Sequence, residues 1–243
     1  MNLLAVARRA GRELRERMPE LASSSRMDLL AEKLVLEVLR DSGEFFVLTE
    51  ERGALTLGDE PEYIAVIDPV DGSFNAVHGI PFYALSIGFA DRSPEARVQD
   101  VHTGYVLNLH TGDEFEAEAG RGARLNRRRI ACRRRKLEHS CIVTYCSPPG
   151  FRRLERLVSG VKRVRTFGSA ALELCHLAKG DFQAFIDLRG YLRNVDVAAA
   201  LRIVREAGGH VSVDGAGLGR IERLSVLACC SGMEDELRRL IQP

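Results

Sequence analysis

Hydrophobic residues recur with two different periods along this chain, and the switches between them outline its elements. Leu3, Ala7, Leu14 and Met18 fall on one helical face, so Met1 to Met18 predicts an amphipathic helix. A polar break, Leu21 to Arg26, predicts a loop, and a second helix opens at Met27 with Leu30, Leu34 and Val38 on its apolar face. Short β-branched and aromatic runs then predict strands at Phe45 to Leu48, Tyr63 to Ile67 and Ala84 to Ala90. From Val98 to Asn126 the residues alternate, punctuated by Thr111-Gly112-Asp113 and Gly120-Arg121-Gly122, as antiparallel strands joined by turns do. The second half alternates strand and helix. Strands are expected at Cys141 to Tyr145, Val161 to Thr166, Phe182 to Leu188, Val211 to Val213 and Leu224 to Cys229. Helices are expected at Phe151 to Val158, Ser169 to Lys179, Val195 to Ala207 and from Met233. The whole reads as a mixed α/β chain, an antiparallel α+β half over 1–130 followed by an α/β half over 131–243. No repeat or flexible linker separates the halves, so a single domain over 1–243 is expected.

Composition changes this picture little. The 45% hydrophobic and 28% charged residues suit a soluble globular protein, and a net charge of +1 gives no support to a general nucleic-acid or membrane-surface binder. The N-terminal stretch is arginine-rich like a transit peptide, but Glu13 and Glu16 interrupt it and an ordinary helix is expected. The basic run Arg127 to Lys136 carries no interleaved aromatics for base stacking, so a solvated strand edge is the better account. None of the six cysteines forms a C-x-x-C pair and no H-x-x-x-H occurs, which argues against zinc. Most are expected to be inert core thiols of a cytoplasmic protein, with Cys141 and Cys146 as a redox alternative.

The chemistry concentrates after the Tyr63 to Ile67 strand, in Asp68-Pro69-Val70-Asp71-Gly72-Ser73. Carboxylates at the end of so apolar a strand are costly unless a cation or hydrogen bonds compensate them. Gly72 allows a turn that brings backbone N–H groups toward a ligand, and Ser73 is placed to cap a following helical turn, where an anion is favoured. Oxygen ligands for a hard divalent cation and donors for a phosphate thus fall within six residues. The same residue types also make ordinary turns. Elsewhere, Thr49-Glu50-Glu51 follows a short strand, Asp28 sits in a first helical turn, Gly168 and Ser169 lie at a strand-to-helix junction, and Asp196 opens another helix. Each has a bland account as a loop end, a dipole-favoured acid or a cap.

Together these stretches resemble the inositol monophosphatase family of magnesium-dependent, lithium-sensitive sugar-phosphate phosphatases. Asp68 to Ser73 is similar to its D-P-x-D-G-[ST] motif, Thr49-Glu50-Glu51 to its glutamate pair, Arg165 to Leu174 to R-x-x-G-S-A-A-L-x-L, and Val195 to Ala200 to W-D-x-A-A-G. Val195 and Ala200 replace the tryptophan and glycine of the last motif. MDLLAE, with Asp28, and the stretch Ala184 to Arg193 look like the archaeal branch, many of whose members act on both inositol monophosphate and fructose 1,6-bisphosphate. The resemblance implies a layered αβαβα sugar-phosphatase sandwich, a homodimer, and two or three Mg²⁺ ions. Glu50, Asp68, Asp71, Asp196 and the Val70 carbonyl would hold two ions, with Asp28 near a third and Glu51 the alternative to Glu50. Glu50, Asp71 and Ser73 would be catalytic, Glu50 and Ser73 by orienting the attacking water. Gly72, Ser73, Gly168 and Ser169 would face the sugar phosphate, with Arg165, Arg189 and Arg193 as candidates for a second phosphate. The alternatives are a 3′-phosphoadenosine nucleotide phosphatase of the same fold and a non-catalytic sugar-phosphate binder. A phosphoaspartate route is disfavoured, because it needs acids two apart rather than three with proline between.

Overall fold

Two helices come first. In the computed structural model, which describes residues 1–145 and 151–241, α1 (Leu3–Leu21) starts where the Asn2 side chain accepts the Ala5 N–H at 3.0 Å. Its buried face holds Leu3, Ala7, Leu14 and Met18, as the periodicity predicts. The face of α2 (Met27–Ser42) differs from the expected one. Met27, Ala31, Glu32, Val35, Leu36, Val38 and Leu39 are buried, Leu34 is half-buried, and Leu30 is 39% exposed. The helix is rotated because the acid Glu32 points inward, where it has a specific task described below.

Strands β1 (Phe45–Thr49), β2 (Gly53–Leu57) and β3 (Tyr63–Asp71) follow, then a one-turn helix α3 (Ser73–Val77) and strand β4 (Ala84–Asp91). The sheet continues through β5 (Thr103–Asn108), β6 (Glu114–Glu118), β7 (Ala123–Leu125) and β8 (Arg128–Arg129). Its order is β2-β1-β3-β4-β5-β6-β7-β8, with β1 and β3 parallel and the other neighbours antiparallel. β2 has no apolar run to announce it, being a half-exposed edge strand. At the other edge only Arg128 and Arg129 of the basic run are paired; the residues after them form an irregular connection.

The second half comprises β9 (Cys141–Thr144), α4 (Phe151–Gly160), β10 (Arg163–Arg165), α5 (Ala170–Lys179), β11 (Ala184–Arg193), α6 (Asn194–Glu206), β12 (Gly209–Val213), β13 (Arg223–Cys230) and α7 (Glu234–Ile241). Its five strands are ordered β10-β9-β11-β13-β12, the first three parallel and β13 antiparallel to both neighbours. β11 runs five residues past the expected Leu188, through a register shift between Asp187 and Leu192. Cys141 lies on β9, while Cys146 lies outside the described residues.

The side chains of β3 and β4 alternate between two cores. Ala65, Ile67, Leu85 and Ile87 pack under α1 and α2. Ile64, Val66, Ala84 and Ala90 face the opposite way, into a core shared with α5, α6, the second sheet, α4 and α7. Helices and sheets thus alternate in layers, the αβαβα arrangement expected. Val195 and Ala200 are fully buried in this second core. α6 lies so close to β4 and β5 that glycine is required there. A Cβ on Gly104 would stand 2.4 Å from the Ala199 carbonyl oxygen, and one on Gly88 3.3 Å from the Ala199 nitrogen. Gly104→Ala is therefore expected to destabilise the fold by about 1–3 kcal/mol through overpacking. Thermal unfolding measures this, and an unchanged Tm would show that α6 has room to shift.

Candidate active site

Asp68 and Asp71 both belong to β3, which continues four residues beyond its apolar run because β4 goes on pairing with it. Asp68 is opposite Ser86 and Asp71 opposite Ala84, with a register shift between the two pairs that takes in Pro69 and Val70. Asp68 is 2% exposed, and one of its oxygens accepts the Val70 N–H at 3.1 Å. One oxygen of Asp71 accepts both the Ser169 hydroxyl at 2.5 Å and the Ala171 N–H at 2.7 Å, so the start of α5 is tied to the end of β3. Gly72 then turns the chain at φ 90°, where a Cβ would lie 3.1 Å from the carbonyl oxygens of Gly168 and Phe82. Asn75 secures that approach, its side-chain amide donating to the Phe82 carbonyl at 2.7 Å and the Phe167 carbonyl at 2.6 Å. Ser73 is not the cap the sequence suggested. Gly72 occupies the cap position and Ser73 is the first helical residue, because the left-handed glycine already completes the turn. Among the described residues the Ser73 hydroxyl makes no hydrogen bond within the protein.

Of the other two acids, Glu50 follows β1 beside β3 in the same sheet, and Asp196 comes from α6. Asp196, in the first turn of α6, accepts the Arg193 N–H at 2.8 Å, the dipole-favoured capping role its position allows. It also accepts the Arg193 guanidinium at 2.7 and 3.0 Å, and that same guanidinium reaches Glu50 at 2.7 Å. Glu50 is thus the glutamate that joins the acids. Glu51 is exposed, and its N–H donates instead to Glu32 at 3.0 Å. Glu32, fully buried on α2, also accepts the Thr49 hydroxyl at 2.8 Å and pairs with Arg52 at 3.0 Å. It fixes the turn that presents Glu50. Sequence reasoning overlooked it, although an acid on the buried face of a helix was the available signal.

Burial holds the Asp68 carboxyl well above the usual carboxylate range; Glu50, Asp71 and Asp196 add repulsion, and Arg193 opposes it. Burial likewise pushes Asp71 up to about 8, against the Ser169 and Ala171 hydrogen bonds. Asp196 is raised by burial despite Arg193, and Asp28 by burial with Glu50 and Glu51 nearby. The structure therefore brings Asp28, Glu50, Asp68, Asp71 and Asp196 within electrostatic reach of one another, with Arg193 bridging Glu50 and Asp196.

These residues suit a hard divalent cation on two observations. Their donors are all oxygens, and one buried oxygen of Asp28 has no hydrogen-bond partner in the protein. Among the described residues no three acids, histidines or cysteines stand closed around a single point. Arg193 draws Glu50 and Asp196 to itself, while Ser169 and Ala171 hold an oxygen of Asp71.

The remaining candidates divide. Gly168, at φ 86°, abuts Asn75 and Gly72, whereas the Ser169 hydroxyl is fully buried and directed at Asp71 rather than outward. Glu173 holds the Gly168 turn by accepting the N–H groups of Phe167 and Gly168, with the Tyr145 hydroxyl at 2.6 Å. Arg189 is bidentate to Asp187 at 2.7 and 3.0 Å, lies over the Tyr145 ring, and so takes the bland pairing open to it. Arg165 is exposed on β10, donating to the Val164 carbonyl at 2.8 Å, with no carboxylate partner among the described residues.

The sequence model of the inositol monophosphatase family matches residues 4–240. A fructose-1,6-bisphosphatase/inositol-1-monophosphatase of Methanothermobacter thermautotrophicus is 39% identical over 199 residues, covering 79% of this chain and 71% of its own. One of the same name from Archaeoglobus fulgidus is 36% identical over 247 residues, covering 96% and 92%. The crystal structure of the extragenic suppressor protein from Bartonella henselae superposes with a TM-score of 0.86 at 29% identity over 100% of both chains. With a match that spans nearly every residue, the layered fold and the gathered acids have one common account: the chain belongs to the inositol monophosphatase family, a family of phosphomonoester hydrolases.

Proposed function

We propose that the chain is a divalent-metal-dependent phosphatase of sugar phosphates, with inositol 1-phosphate and fructose 1,6-bisphosphate as its substrates. The observation that carries this reading is the gathering of Glu50, Asp68 and Asp71 from the first sheet with Asp196 from α6, Arg193 bridging Glu50 and Asp196. Glu50, Asp68, Asp71 and Asp196, with the Val70 carbonyl and with Asp28 nearby, would hold Mg²⁺ ions. When bound, magnesium supplies Lewis-acid stabilisation of the attacking and leaving oxygens. The chain's own part is orientation and proton handling. Glu50, held by its Glu32-anchored turn, accepts a proton from the attacking water, and the Ser73 hydroxyl, which has no partner within the described protein, orients it. The N–H groups of Gly72 and Ser73 grip the phosphate. Lithium sensitivity, a homodimer and a cytoplasmic location complete this reading.

Of the three arginines considered for a second phosphate, Arg165 is the one without a carboxylate partner among the described residues. Losing a charge-assisted contact costs ~1.5–3 kcal/mol, so Arg165→Ala should lower kcat/KM for fructose 1,6-bisphosphate roughly ten- to hundredfold. Inositol 1-phosphate should be affected much less. Phosphate release from both substrates with Mg²⁺, for the wild type and for Arg165→Ala, Arg189→Ala and Arg193→Ala, tests this. No magnesium-dependent release from either substrate would refute the function, and equal losses on both for all three variants would refute the bisphosphate selectivity.

A further inference from the structure

From Ala119 to Leu137 the chain carries nine cations and no acid. Among the described residues only Arg121 of these forms an ion pair, with Glu118. The catalytic reading leaves the charge unexplained, and the local structure keeps it at a cost. β7 and β8 form a two-residue hairpin in which Arg124 is paired directly with Arg129, a destabilising juxtaposition of like charges. The turn residues Asn126 and Arg127 have φ of 48° and 66°. Such a turn favours glycine at its second position, yet arginine stands there.

Three of the cations converge on a cavity of about 1090 Å³ between β8, the connection after it and the C-terminal ends of α5 and α6. Arg128 and Arg129 come from the hairpin and Arg133 from the connection, with Lys179 adding a fourth charge already shared with Asp181 at 2.9 Å. The two acids that line the cavity are engaged elsewhere. Asp181 is held by His176 and Lys179, and Glu206 accepts the N–H groups of Gly120 and Gly122 at 3.0 and 2.9 Å. The connection is anchored. The Cys132 N–H donates to the Ala207 carbonyl at 2.9 Å, the Gln183 amide donates to the Arg133 carbonyl at 3.3 Å, and the stem of Arg133 lies against Gly180 where a Cβ would be 2.6 Å away. A concave, anchored site with three uncompensated guanidinium groups suits phosphate oxygens, which they grip through paired N–H groups.

We propose that this cleft binds a small polyphosphate anion, at a site separate from the gathered acids. The cleft is bounded by the hairpin, the connection and two helix ends, which suits a compact ligand, and the stacking aromatics that a nucleic-acid strand would use are lacking along this run. The test is calorimetric titration of the whole chain with sodium tripolyphosphate in 150 mM salt and EDTA. The wild type should show one saturable site, Asp71→Asn should bind equally well, and Arg129→Gln/Arg133→Gln should bind at least about tenfold more weakly with a Tm no lower than that of the wild type, since the variant also relieves the Arg124–Arg129 repulsion. The absence of saturable binding, or equal affinity in the double variant, would overturn the proposal. So would tighter binding of a 20-nucleotide single strand that the double variant loses, since the band would then serve nucleic acid. Unaltered tripolyphosphate binding together with self-association of the double variant would show that the arginines only keep the sheet edge from pairing.

Discussion

Asp71→Asn is expected to reduce magnesium-dependent phosphate release by about a thousandfold, which corresponds to ~4 kcal/mol at 1.36 kcal/mol per tenfold. The substitution preserves shape, and its carboxamide oxygen can still accept the Ser169 hydroxyl and the Ala171 N–H that Asp71 accepts at 2.5 and 2.7 Å. The tie between β3 and α5 should therefore survive. What is lost is the capacity for one negative charge, the charge a cation needs, in a buried group of acids that repel one another when ionised. The variant should accordingly melt at the same or a higher temperature than the wild type in EDTA, and gain less from added Mg²⁺. Steady-state kinetics and paired melts with and without the metal measure both halves. Wild-type turnover at saturating magnesium would remove Asp71 from the catalytic group.

Arg193→Gln should have the opposite effect on stability. The guanidinium reaches Glu50 and Asp196, each at 2.7 Å, and its side chain is 31% exposed. Breaking a well-buried pair costs 3–5 kcal/mol; with this exposure we expect about 2 kcal/mol, or a fall of roughly 4–8 °C in Tm without metal. Magnesium should restore more stability to the variant than to the wild type, because in the wild type the ion must displace Arg193 from the two acids it would bind. Equal magnesium-induced shifts in Tm would show that Arg193 and the metal do not compete for those oxygens.

Much of this arrangement is legible in the sequence. Asp68 and Asp71 stand out because an apolar strand leads into them, whereas Asp196, at the opening of a helix, stands out only through the resemblance of Val195 to Ala200 to W-D-x-A-A-G. Glu50 is preferred to Glu51 by the order and spacing of the resemblance, and it is Glu50 whose carboxylate meets Arg193 in the structure. What stayed hidden depends on pairings distant in sequence. Asn75 works on a carbonyl 92 positions away and Asp71 on a hydroxyl 98 positions away, and no local pattern reports either. The sequence suggests Ser73 as a cap because it does not show that Gly72 already supplies the left-handed turn. Periodicity places Leu30 inside because apolar spacing alone ignores a buried acid such as Glu32, which takes a position in the helix face for its own hydrogen bonds.

The seating of α6 bears on how the molecule comes apart. Its 13 residues pack against Gly88 and Gly104 of the first sheet on one side, and share a core with the strands of the second on the other. A helix walled in this way cannot melt while either sheet stays folded, so the two halves of the chain should unfold in one cooperative transition rather than two. A fragment ending near residue 130 would lack the helix that covers β4 and β5, and a fragment beginning there would keep Asp196 on a helix with one of its walls gone.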